Sequence, residues 1–303
     1  MRKALSVLSI ATVALAAAPA IAQEGKLKIG MTFQEMNNPY FVSMKEALDE
    51  AAKSLGAEVV VTDAAHDVAK QISDVEDMLQ QNIDILLLNP TDSAGVEAAV
   101  HAAKAQGVIV VAVDANASGP VDTFVGSKNK DAGYQSCKAL AEALNGEGEV
   151  AILDGIPVVP ILQRVEGCKE ALAEHQNIKL VDTQNGRQDR SVALGVVENM
   201  IQSHPNLKGI FSVNDGGAMG ALAAIQGSGQ DIKLTSVDGA PEAVQAIAEG
   251  TAFVQTTAQF PRDQVRVGLA MALAQMWGAR VVPKEVPIDV RPVTKENAAD
   301  FSW

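Results

Sequence analysis

Short runs of β-branched and apolar residues alternate along this chain with longer stretches whose apolar positions recur at helical spacing. That alternation is the signature of βαβ units and parallel sheets. In the first half it predicts strands at Lys28 to Phe33, Glu58 to Thr62, Ile85 to Leu88, Val108 to Val113 and Thr123 to Val125. In the second half strands follow at Glu149 to Leu153, Lys179 to Asp182, Gly209 to Val213, Lys233 to Val237 and Phe253 to Thr257, with a final extended run from Val286 to Val290. Helices fall between them. One phrase occurs in each half: Ile85-Leu-Leu-Leu-Asn89 leads through a helical stretch to a strand ending at Asp114, and Ile210-Phe-Ser-Val-Asn214 leads through another to Asp238. Parallel strands open on one edge, where open α/β folds bind ligands, so the repeat predicts two similar lobes with a site between them.

The punctuation agrees. Asn38 is placed to cap a helix that begins with Pro39, and Gly56 to stop it after Leu55. No low-complexity linker separates the halves, and Val265 to Trp277 reads as a helix returning to the first. More than one crossing is expected, which makes a hinge.

Composition adds compartment and exclusions. Arg2 and Lys3 precede an uncharged Ala-rich stretch, then Pro19 and the small-x-small triplet Ala20-Ile21-Ala22, the pattern of a secretory signal cleaved after Ala22. That stretch is short of the roughly 20 residues that span a bilayer, and no later segment is apolar for long enough. Residues 23–303 are too many for one ordinary core and suit two domains. A formal net charge of −13 argues against nucleic acid and anionic lipid as partners. Cys137 and Cys168 are the two cysteines. In an exported chain a pair is readily oxidised, so a disulfide is expected, with two buried thiols as the alternative.

Candidate chemistry gathers at strand ends. Asn38, Tyr40 and Phe41 open the first helix, and an amide beside aromatic faces is what a polyhydroxylated ligand needs. Asp114, Asp215 and Asp238 stand just past strands with Asn214 adjacent. Carboxylates accept from neighbouring hydroxyls and Asn both donates and accepts, which suits a neutral sugar or polyol. Catalytic motifs are missing: Asn214-Asp-Gly-Gly-Ala-Met-Gly220 does not match the dinucleotide spacing, and neither a phosphate loop nor a nucleophile elbow occurs. His66, His101, His175 and His204 are scattered and read as solvated. No enzyme activity, cofactor or metal is expected.

Asn37-Asn-Pro-Tyr-Phe-Val42, Asn89-Pro-Thr-Asp92, Val213-Asn-Asp215, Val237-Asp-Gly239 and Ala258-Gln259 stand in the order found in the ribose-binding-protein family, and the chain resembles these sugar-binding type I periplasmic proteins over nearly its whole mature length. The resemblance implies two Rossmann-like lobes joined by three crossings, here residues 27–127 plus 259–284 and 128–258 plus 285–303. It also implies closure around a sugar and delivery to a membrane ABC importer, or signalling through a chemoreceptor or sensor kinase, by a monomer. By position, Asn38, Tyr40, Phe41, Asp114, Asn214, Asp238 and Gln259 resemble the family's ligand contacts, whereas Asn89 is assigned to turn structure. Ala115 and Leu162 stand where ribose binders carry arginines, and Gln188 and Val237 where they carry aromatics, so the ligand is expected to differ from ribose. Gln163 and Arg164 complete the candidate set, with Arg187 and Lys128 as further replacement donors. A transcription regulator sharing this core would need a basic helix-turn-helix ahead of the first strand, where the export signal stands instead.

Overall fold

The computed structural model describes residues 25–303; the expected export signal and its cut after Ala22 lie outside the described residues. Two six-stranded sheets are present among the described residues, one in each lobe. In the first lobe β1 (Lys28–Phe33), β2 (Glu58–Asp63), β3 (Ile85–Leu88), β4 (Ile109–Val113) and β5 (Thr123–Ser127) alternate with α1 (Pro39–Leu55), α2 (Val68–Gln80) and α3 (Glu97–Ala105). In the second, β6 (Glu147–Asp154), β7 (Asn177–Asn185), β8 (Leu207–Ser212), β9 (Lys233–Asp238) and β10 (Phe253–Ala258) alternate with α4 (Asn129–Ala143), α5 (Val159–Ala173), α6 (Arg190–Ser203), α7 (Asp215–Ser228) and α8 (Pro241–Ala248). α9 (Pro261–Met276) returns to the first lobe, where Val265, Leu269 and Ala272 join its core.

The last extended run divides. β11 (Glu285–Ile288) pairs in parallel with β5, and β12 (Arg291–Thr294) pairs antiparallel with β10. Residues 285–288 therefore belong to the first sheet, against the expectation that the second lobe resumes at 285. Local pattern marks this run as extended but says nothing about which sheet has an open edge for it. The chain thus passes between lobes after Ser127, after Ala258 and after Ile288.

The sheet orders are β11-β5-β4-β3-β1-β2 and β12-β10-β9-β8-β6-β7, the same winding twice. Each reverses direction beside its first strand, and at that point a crevice opens at the carboxyl ends of the strands. Both faces of each sheet are covered, so successive residues of one strand enter different cores: Ile85 and Leu87 pack with α1 and α9, Leu86 and Leu88 with α2 and α3. Ala151 and Leu153 separate from Val150 and Ile152 in the same way. β7 runs five residues longer than its apolar pattern predicts, two at its start and three at its end, because it is an edge strand with polar termini.

Capping follows the sequence. Asn38 Oδ1 accepts from Tyr40 N at 3.0 Å, and Gly56 adopts φ 65 at the end of α1. α4 and α5 approach closely through glycines. A Cβ on Gly133 would strike the carbonyl of Arg164, and one on Gly167 the carbonyl of Lys130. This contact places the buried sulfurs of Cys137 and Cys168 together, with their Cα atoms 4.9 Å apart.

Candidate ligand-binding cleft

The two strand edges face each other across a cleft and each presents one carboxylate. Asp114 follows β4 with φ 65, a left-handed conformation that Asp tolerates better than most residues. Its Oδ1 accepts from the Tyr40 hydroxyl at 3.0 Å and its Oδ2 from Asn89 Nδ2 at 3.1 Å. Tyr40 Oη in turn accepts from Gln264 Nε2 at 2.9 Å. Burial pushes the Asp114 carboxyl above the ordinary range, against the pull of Arg164 and of these two donors. Burial, reinforced by Asp114, keeps the Tyr40 phenol protonated.

Asp238 ends β9 in the other lobe. Its Oδ1 accepts from Gln259 Nε2 at 2.8 Å and from Arg164 Nη1 at 3.3 Å, while Oδ2 accepts from Asp215 N at 3.3 Å. Arg164 is buried, with Nε donating to Asn129 Oδ1 and Nη1 to Val213 O, both at 2.8 Å. The guanidinium thus comes from α5, is steadied by α4 and by the chain just past β8, pairs with Asp238 and exerts its charge on Asp114 of the other lobe. Asp215 sits beneath, accepting from the Ser236 hydroxyl, Thr256 Oγ1 and Ala240 N. Burial raises the proton affinity of both Asp215 and Asp238, and the Asp238 charge adds to the effect on Asp215.

Gln34, Asn38, Tyr40, Phe41 and Asp114 line the inner crevice from one side. Arg164, Gln188 and Asp238 line it from the other with Val158, Pro160 and Ile161, and Gln259 lies at the second crossing. The crevice holds about 20 Å³, room for roughly one water. It opens past Asn38 and Gln188 into a mouth of about 450 Å³ between Pro39 and Met219. At one rim the lobes touch, Val159 N donating to Ser93 Oγ at 3.5 Å. The Oε1 atoms of Gln34 and Gln259 are buried with no protein donor, although buried polar groups normally have a partner.

Of the residues expected from sequence, Asn38, Tyr40, Phe41, Asp114, Arg164, Asp238 and Gln259 come together here. Gln163 does not: it is exposed on α5, one helical step round from Arg164. Asn214 lines neither part of the cleft; it caps α7, with Oδ1 accepting from Gly217 N at 3.0 Å and Nδ2 donating to Gln188 O at 3.3 Å. Lys128 pairs with Asp289 near the crossings and Arg187 is exposed. Leu162 is exposed and Val237 is core, whereas Gln188 faces the ligand side. Asn89, assigned to a turn, instead clamps Asp114. His66 is not simply solvated: its Nε2 lies 3.1 Å from Glu35 Oε2, which raises the imidazole's proton affinity. Gln34 and the apolar wall of Val158, Pro160 and Ile161 were missed. Gln34 follows β1 directly, so the strand-end rule that selects Asp114 would have found it.

Residues 29–279 match the family model described as a periplasmic binding protein domain. The chain is 39% identical over 222 residues to the ribose import binding protein of Bacillus subtilis, covering 73% of this chain and 72% of the relative. It is 30% identical to the xylitol-binding protein of Mycolicibacterium smegmatis, covering 89% and 78% of the two chains. An ABC transporter periplasmic solute binding protein from Actinobacillus succinogenes with bound D-allose superimposes with a TM-score of 0.85 at 30% identity, covering 91% of this chain and 100% of that one.

Proposed function

Because this chain belongs to the periplasmic binding protein family, we propose that it captures a neutral monosaccharide or polyol in the periplasm and, by closing its lobes, delivers it to a membrane ABC importer. It is a binding component of a transport system and not an enzyme.

The observation that carries this reading is the pair Asp114 and Asp238, one from each lobe on one crevice, with Arg164 bonded to Asp238 in the same lining. Each carboxylate is fixed by protein donors on some of its lone pairs and accepts ligand hydroxyls with the rest. Gln34 and Gln259 offer buried acceptors that a hydroxyl would satisfy. Two carboxylates in a buried site repel an anion, and Arg164 offsets the attraction that would otherwise favour a cation. A ligand touching both sides favours the closed arrangement by its differential affinity, with the three crossings acting as the hinge. Ala115 gives no donor beside Asp114, which favours a ligand other than ribose.

The exported protein begins after Ala22, carries a Cys137–Cys168 disulfide and acts as a monomer in this reading. A thermal-shift screen over pentoses, hexoses and polyols tests the ligand class. A ligand at 100 times its Kd should stabilise the protein by about 2.7 kcal/mol. Stabilisation by an amino acid or nucleotide, with none by any sugar or polyol, would overturn the assignment.

A further inference from the structure

Trp303 touches both sides of the site without lining the crevice. Its Nε1 donates to the backbone carbonyl of Asp238 at 3.0 Å. Its ring meets Tyr40 edge-on, with centroids 5.8 Å apart and planes at 82°, and packs on the first lobe's core. The segment that carries it is seated on the other lobe: Ala298 and Phe301 pack into that core, and the Phe301 ring lies 5.2 Å from the guanidinium of Arg291 at the start of β12. A continuous path therefore runs from Asp238 through Trp303 and the Tyr40 hydroxyl to Asp114.

We infer that Trp303 is a positioning residue of the closed site, an indole strut that sets Tyr40 and Asp114 opposite Asp238 when the lobes are together. The inference rests on the reading of ligand capture by closure. Opening about the crossings cannot keep both contacts, since Asp238 and Tyr40 lie on different lobes. Anchored through Ala298 and Phe301, the indole stays with Asp238 and leaves the Tyr40 ring. The edge contact thus exists in the closed form alone and shifts the equilibrium toward it by about two- to tenfold, the usual strength of an aromatic pair. Tyr40 then keeps Gln264 and Asp114 as its hydroxyl partners but loses the surface that fixes its ring.

Trp303→Ala and Trp303→Phe, made in the full exported protein, separate this role from that of a passive seal. Small-angle scattering without ligand should show Trp303→Ala displaced toward a more open form, with Trp303→Phe between it and the wild type. Calorimetric titration with D-allose and with xylitol should give about two- to tenfold weaker binding by Trp303→Ala for whichever the wild type binds. Trp277 is 76% exposed and far more open to solvent than Trp303, so a Trp277→Phe protein reports on Trp303 alone; its emission should shift on binding, and that of Trp303→Phe should not. A lower melting temperature with unchanged affinity and scattering would reduce Trp303 to a seal and overturn the inference. If the wild type binds neither probe, the ligand reading is at fault, and the ligand-free scattering still decides the strut.

Discussion

Asn89 donates its side-chain amide to Asp114 Oδ2 at 3.1 Å while its own Oδ1 accepts from the backbone N–H of Gln34 at 3.1 Å. One fully buried side chain therefore orients the carboxylate just past β4 and holds the backbone just past β1 at once. Replacement by Ala would leave the Gln34 N–H buried without a partner and free the carboxylate to turn. Asn89→Ala is expected to lower stability by about 1–3 kcal/mol and to weaken ligand binding about tenfold or more. Denaturant melts and calorimetric titration check the two effects; full affinity in the variant would remove Asn89 from the support of the site.

Asp114→Ala should abolish the thermal shift given by the true ligand without unfolding the protein. The carboxyl is held above its ordinary range by burial, so its removal relieves a desolvation cost that the folded protein bears. The melting temperature of the ligand-free variant should equal or exceed that of the wild type at neutral pH. Asp238→Asn should be worse for stability, because it leaves the buried Arg164 guanidinium without its carboxylate.

Oxidation of Cys137 and Cys168 closes a loop of 31 residues, which constrains the unfolded chain by about 3–4 kcal/mol. Free-thiol counting on denatured, unreduced protein should find none. The double Cys→Ala variant should melt lower by a corresponding amount, and an unchanged melt together with two free thiols would exclude the bridge.

Gly133→Ala should be more damaging than most surface-helix changes of that size. Its methyl would run into the Arg164 carbonyl, so α5 must move away from α4. That movement carries Arg164 from Asn129 and Asp238, so affinity and stability should fall together in titration and melting experiments.

Stability without ligand should rise as pH is lowered from about 8 to about 6. Asp114, Asp215 and Asp238 all hold protons more tightly in the folded state than in the unfolded chain. The folded state then binds more protons between the ordinary carboxylate range and these raised values, so stability falls as pH climbs through them. His66 adds in the same direction, because its proton affinity is raised by Glu35; that contribution is present below its ordinary value of 6.5 and is lost as pH passes the raised one. Melting curves across this range are the test, with Asp114→Asn and His66→Gln each expected to flatten the slope. A flat profile would show that the carboxylates are ionised at no cost, and a slope of opposite sign that the folded state holds their protons less tightly than the unfolded chain.

Much of the architecture is legible in one dimension. Strands such as Ile85–Leu88 and helices such as Pro39–Leu55 announce themselves through apolar runs, helical spacing and caps, all interactions within a few residues. Asp114 and Asp238 are recognisable for a related reason: in parallel sheets a polar residue at a strand's carboxyl end must arrive at the binding edge. Gln163 and Asn214 show the limit. Whether a side chain on the right element points into the cleft depends on a single helical step in one case and on competition from a cap hydrogen bond in the other.

By itself the sequence determined two similar α/β lobes, the export pattern at residues 1–22, the paired cysteines and the acidic strand ends. Those features follow from local pattern and composition. Tertiary structure alone decided that β11 joins the first sheet, that Arg164 pairs with Asp238, that Asn89 clamps Asp114, and that Trp303 reaches Tyr40 from Asp238. Each of these joins residues from separate segments, many of them far apart in the chain. Their partners are chosen by which edges, cavities and buried polar groups remain unsatisfied once the lobes have packed, and no local pattern encodes that choice.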